Sequence, residues 1–162
     1  MNARKVSWLA LFVALSVIGS IIKVPSPISS VALDSFPALM AAVLLGPAAG
    51  ALTGAFGHLV SALIGGFPMG PLHIIIAIEM AAIIWLFGVL YMAGHKWSAL
   101  LSFVLLNGIV SPAPFILFMG MPFYISAVPA ITIAAAFNGI AAYILIPRIA
   151  PAFAKRYGDL HA

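Results

Sequence analysis

Cysteine is absent and charge is scarce: the 162 residues include no Cys, seven Lys and Arg, and three Asp and Glu. Without thiols there is neither a disulfide framework nor a cysteine nucleophile or metal ligand, and the redox compartment cannot be read from thiol usage. The sequence has no G-x-x-x-x-G-K-[ST] phosphate loop for ATP, no G-x-S-x-G nucleophile elbow and no H-E-x-x-H zinc helix. A net charge of +4 drawn from so few groups is not a nucleic-acid footprint. No small-residue cleavage site leads from the first apolar run into a polar mature domain, so that run is expected to remain as a helix rather than leave as a signal peptide.

What is abundant is hydrocarbon. The chain is 65% hydrophobic and 6% charged, against roughly 45–50% and about 25% for soluble domains. It reads as an integral membrane protein, with the lipid bilayer as its solvent and no nucleic acid among its partners. A crossing helix needs about 20 apolar residues, and six runs fit, giving an all-α bundle of six transmembrane helices expected to form one domain over 1–162. They lie at about 6–22, 35–46, 47–64, 71–92, 97–118 and 128–146. The loop KVPSPISSVALD follows the first, GGFPMG the third, and MGMPFYISAV the fifth. Asp34 or Ser35 suits an N-cap for the second helix, with Pro37 tolerated in its first turn. Gly46 and Pro47 form a helix stop and start.

Arg4, Lys5, Lys96, Arg148, Lys155 and Arg156 then fall on one side and Lys23 alone on the other. The positive-inside rule places that basic side, and both termini, in the cytoplasm. The three long loops face outward, and so does the room for a site.

Small residues spaced four apart let membrane helices approach closely. The third run carries Gly46, Gly50 and Gly54, and then Gly57, Ser61 and Gly65, which predicts a central helix. The first carries Ala10 and Ala14, a candidate partner surface. Polar groups in hydrocarbon are costly and normally face protein or a water-filled cavity. His58 and Ser61 share a face of the third helix, and Asn107 and Ser111 a face of the fifth. His73 begins the fourth helix, Glu79 lies two turns further in, and Asn138 is near the middle of the sixth. These side chains are expected to converge on one outward-facing cavity.

Most of them also admit a structural role. Asp34 can be a cap, His73 an interfacial group satisfied by water, His58 a partner of a neighbouring backbone, and Asn138 inter-helix glue. Glu79 is the hardest to explain structurally, since Gln would cost less in lipid. Phe67, Met69, Phe115, Met119, Phe123 and Tyr124 are either pocket walls or the interfacial aromatic belt.

Six helices in a chain of this length, a short second helix, the Ala10/Ala14 spacing and the glycine-rich third helix resemble the substrate-binding S component of an energy-coupling factor (ECF) vitamin transporter. The stretches IKVPSPISSVALDSFPAL and GHLVSALIGGFPMGPLH are most similar to the branch that takes up α-ribazole, the nucleoside precursor of the lower cobalamin ligand. The resemblance implies a prokaryotic cytoplasmic-membrane protein, not an enzyme, that binds a vitamin precursor from outside. A separate transmembrane coupling subunit and an ATPase pair would supply the energy. It implies coupling-subunit contact at Ala10 and Ala14, and no resident cofactor. The nickel and cobalt branch carries a histidine at the extreme N-terminus where Asn2 stands, so no metal site is expected. For a nucleoside, Asp34, Glu79, Asn107 and Asn138 would serve ribose hydroxyls or a ring nitrogen, with His58, Ser61, His73 and Ser111 as further polar contacts. Phe67, Met69, Trp85, Phe115 and Tyr124 would hold the base. Alternatives left open are an S component for another vitamin, an intramembrane enzyme using Glu79 with His58 or His73, and a channel or assembly scaffold.

Overall fold

The computed structural model describes residues 3–24, 31, 32 and 34–157. Asn2 and most of the first long loop lie outside the described residues. Helix α1 spans Ala3–Gly19, α2 Ser35–Leu44, α3 Pro47–Ile64, α4 Leu72–Met92, α5 Lys96–Leu105 and α6 Ile116–Tyr157. Among the described residues three apolar stretches are long enough to cross a bilayer, Pro47–Ile64, Leu72–Met92 and Lys96–Lys155, and Ser35–Leu44 is a shorter apolar helix. Between α1 and α2 a two-residue antiparallel ladder pairs Lys23 with Ala32 and Val24 with Val31, a feature with no alternating pattern to announce it.

The glycines of α3 act as spacers, each toward a different neighbour. A Cβ on Gly50 would overlap Ala42 of α2, one on Gly54 would meet Ile84 of α4, and one on Gly57 would come within 2.7 Å of the Ser16 Cβ in α1. The helix enclosed on all sides is nonetheless α2, not α3. Ala38, Leu39, Ala41 and Ala42 are completely buried, among α1, α3, α4 and α6. A ten-residue helix that carries Ser35, Ala38, Ala41 and Ala42 among its buried residues is short and narrow enough to be surrounded. By contrast α3 keeps Leu52, Phe56, Val60, Leu63 and Ile64 on an exposed apolar face suited to lipid.

The expected fifth helix and the loop after it are redrawn. Regular helix stops at Leu105 and continues as a π-helical turn over Leu106–Val110, closed by the Ser111 amide bonding the Leu106 carbonyl at 2.8 Å. Pro112 and Pro114 bring no amide hydrogen, and a 3₁₀ turn follows at Ala113–Phe115. The expected loop MGMPFYISAV is mostly helical. Gly120 (φ 79°, ψ 171°) makes the break, and Pro122 sits where a first helical turn tolerates it. The last helix also runs on through Pro147 and Pro151 to Tyr157 rather than stopping near 146. Its inward Ala134, Ala135, Ala142 and Ile146 are almost fully buried, so packing outweighs the cost of missing amides.

Candidate binding site

Two hydrogen-bonded polar pairs form around the first turns of α4. In one, His58 Nε2 of α3 lies 3.0 Å from His73 Nδ1, and the Met69 amide donates to His73 Nε2 at 3.3 Å. The turn between α3 and α4 is compact: the Phe67 amide donates to the Ala62 carbonyl at 2.8 Å. Phe67 itself adopts φ 53°, the left-handed region that non-glycine residues rarely enter. Its ring packs against His73 with centroids 4.9 Å apart. In the second pair the Ser111 hydroxyl, placed by the π turn, donates to Glu79 Oε2 at 2.7 Å.

No hydrogen bond joins the pairs among the described residues, so polarity is gathered at two points rather than one. They do border a common strip. At about 100° per residue His73 and Glu79 lie on either side of Ile76, some 9 Å apart along the axis, and Ile76 packs on the core. The opposite face of α4 presents Ile74, Ile78 and Trp85, all exposed. Trp85 therefore faces away from both pairs.

The remaining candidates divide. Ser61 follows His58 by one turn, its hydroxyl buried with no partner among the described residues. Asn107 is half-buried in the π turn, and its amide has no partner among the described residues. Phe115 is buried with Phe118 and Phe123 around it, and Tyr124 donates to the Ile109 carbonyl at 3.1 Å, tying α6 to the π turn.

Asp34 occupies the N-cap position of α2, but its carboxylate makes no cap bond. It accepts from the Ser35 hydroxyl at 3.2 Å. Loss of solvent pushes its carboxyl up to about 6, against the opposing pull of that hydroxyl. Both polar atoms of the Asn138 amide are bonded within the fold: its oxygen accepts from Phe36 N at 2.7 Å and its nitrogen donates to the Ala134 carbonyl at 2.9 Å. Asn138 also borders a groove of about 340 Å³ between α1, α2 and α6, whose other walls, among them Phe12, Leu15, Met40 and Phe137, are apolar. That groove lies apart from both pairs. Ala10 and Ala14 are exposed on α1.

The signal missed in the sequence was Gly108. A Cβ there would come within 2.5 Å of the Thr132 hydroxyl of α6, so glycine is what lets the π turn pack tightly enough to aim Ser111 at Glu79.

Among the described residues no cluster of three His, Cys, Asp or Glu is placed to hold a metal. The sequence model of the ECF transporter, substrate-specific component family matches residues 4–160. The chain belongs to that family. No curated protein matches it in sequence. As an S component it is an integral membrane protein that binds a small-molecule substrate for an ECF importer and works with coupling and ATPase subunits. This accounts for the missing phosphate loop: the ATP chemistry belongs to another chain.

Proposed function

We propose that this S component binds α-ribazole, in a site bounded by the His58–His73 and Glu79–Ser111 pairs. The observation that carries the reading is the placement of those pairs on either side of the apolar Ile76 strip. A nucleoside needs such a division, with hydrogen bonds for the ribose and an apolar bed for a bicyclic base. Glu79 is an acceptor for ribose hydroxyls, the Phe67 ring flanks the base, and Asp34 and Asn107 are further polar contacts. Six crossings with both termini in the cytoplasm place the α3–α4 turn and residues 111–120 on the outer side, where substrate arrives.

The test is a titration of purified protein with α-ribazole, free dimethylbenzimidazole, thiamine, biotin and riboflavin, each recovered and checked by mass spectrometry. Saturable binding of α-ribazole, recovered unchanged, is expected. Tight binding of a different vitamin would end the α-ribazole assignment. A chemically altered product would instead point to an intramembrane enzyme built on Glu79 and the histidines.

A further inference from the structure

The hydrogen bonds around His73 determine where its proton sits. A backbone amide can only donate, so the Met69 N–H, 3.3 Å from His73 Nε2, requires a lone pair on that nitrogen. The single proton of the neutral ring is then on Nδ1. That nitrogen is 3.0 Å from His58 Nε2, and between the two rings only one proton fits. His73 therefore donates, His58 Nε2 accepts, and the proton of His58 is left on its Nδ1. Among the described residues no protein acceptor is within hydrogen-bond reach of His58 Nδ1. Every other ring nitrogen of the pair is engaged.

The same chain of bonds restricts what this end of the site can take. A metal ion between the rings would need the lone pair of His73 Nδ1, moving the proton to Nε2, against the Met69 N–H. A second proton on His73 would create the same clash of two donors and free the Met69 amide. The pair is thus a one-way relay that begins at a backbone amide and ends in one donor with no partner among the described residues.

We propose that His58 Nδ1–H is the donor that recognises an unprotonated ring nitrogen of the substrate, and that His73 is the positioning residue that fixes the tautomer. The proposal rests on the nucleoside reading above and extends it by orienting the ligand. The heteroaromatic base lies at the His58 end, next to the Phe67 ring, which packs 4.9 Å from His73. The ribose lies toward Glu79, an acceptor suited to hydroxyl donors. An aromatic nitrogen with a free lone pair matches a donor-only partner better than a hydroxyl, which can be satisfied in either sense.

The deciding experiment compares α-ribazole with its indole counterpart, in which the free ring nitrogen is replaced by C–H. Wild type is expected to bind α-ribazole about tenfold more tightly than the indole riboside, the cost of leaving one buried donor unpaired. His58→Phe should bind the two equally. His73→Leu should reduce the preference, and His73→Gln should restore it, because an amide oxygen can accept from Met69 while its nitrogen donates to His58. Equal binding of both ribosides by wild type, or an unchanged preference in His58→Phe, overturns the proposal. Nitrogen-15 spectra of the wild-type histidines give a readout that needs no variant to fold. A proton on His58 Nδ1 is expected, and one on Nε2 overturns the donor assignment. If neither riboside binds, it is the nucleoside reading that falls, while those spectra still decide the donor.

Discussion

Asn138 of α6 caps α2 from across the bundle: its amide oxygen accepts the Phe36 N–H at 2.7 Å, although the two residues are 102 positions apart. The first amides of any helix lack intrahelical partners, and the residue next to them in sequence, Asp34, leaves this one unmet. A tertiary contact thus does what local capping usually does. With α2 almost wholly buried, its register against α6 depends on that bond. Asn138→Ala should lower stability by about 1–3 kcal/mol, the cost of a buried amide left unpaired, while changing substrate affinity little. Thermal unfolding in detergent alongside ligand titration would show it; a large loss of affinity at unchanged stability would place Asn138 in the ligand site instead.

Glu79 is expected to dominate affinity on the opposite flank. Glu79→Ala should weaken nucleoside binding by about 2–3 kcal/mol, since a charged acceptor is lost, and Glu79→Gln should keep part of that affinity. Ser111→Ala should cost less, because the carboxylate remains and only its orientation loosens. Isothermal titration of the three variants gives the order. If Glu79→Ala binds as well as wild type, the carboxylate serves only to anchor the π turn.

Gly57 sets the distance between α1 and α3. A methyl group there would sit 2.7 Å from the Ser16 Cβ, closer than carbon atoms approach, so Gly57→Ala should destabilise by about 1–3 kcal/mol as the helices separate. The drop would be read as a lower unfolding temperature of the purified protein. Wild-type stability would show that α1 moves freely against α3.

Ala10 and Ala14 are exposed on α1, so their substitution should spare the fold. Ala10→Leu or Ala14→Leu is expected to leave substrate binding intact and abolish uptake, because bulk holds the coupling subunit away. Uptake by cells carrying the full transporter, paired with binding to the isolated subunit, separates the two effects. Full uptake by both variants would remove this face from the coupling surface.

The basic residues predict topology. A reporter active only in the cytoplasm and fused after Ala162 should be active. Silence with intact expression would mean an odd number of crossings.

Membrane class, helical content and the start of α3 at Pro47 followed from the sequence itself, because apolar run length and proline and glycine punctuation act locally. So did the candidate polar residues, since any polar group in so apolar a chain is conspicuous. Three things were decided only by tertiary structure. The 119–128 stretch, punctuated by Gly120 and Pro122, reads as loop, yet it is helical from Met121 because packing of α6 outweighs local propensity. The π turn that aims Ser111 at Glu79 depends on Gly108 meeting Thr132, a contact between residues no sequence pattern connects. Asn138 and His58 look alike as intramembrane polar groups, but one has both its amide oxygen and its amide nitrogen bonded within the fold, and the other keeps a ring nitrogen with no partner among the described residues. Hydrogen-bond partners are chosen by which surfaces the helices bring together, and that is a property of the packed bundle.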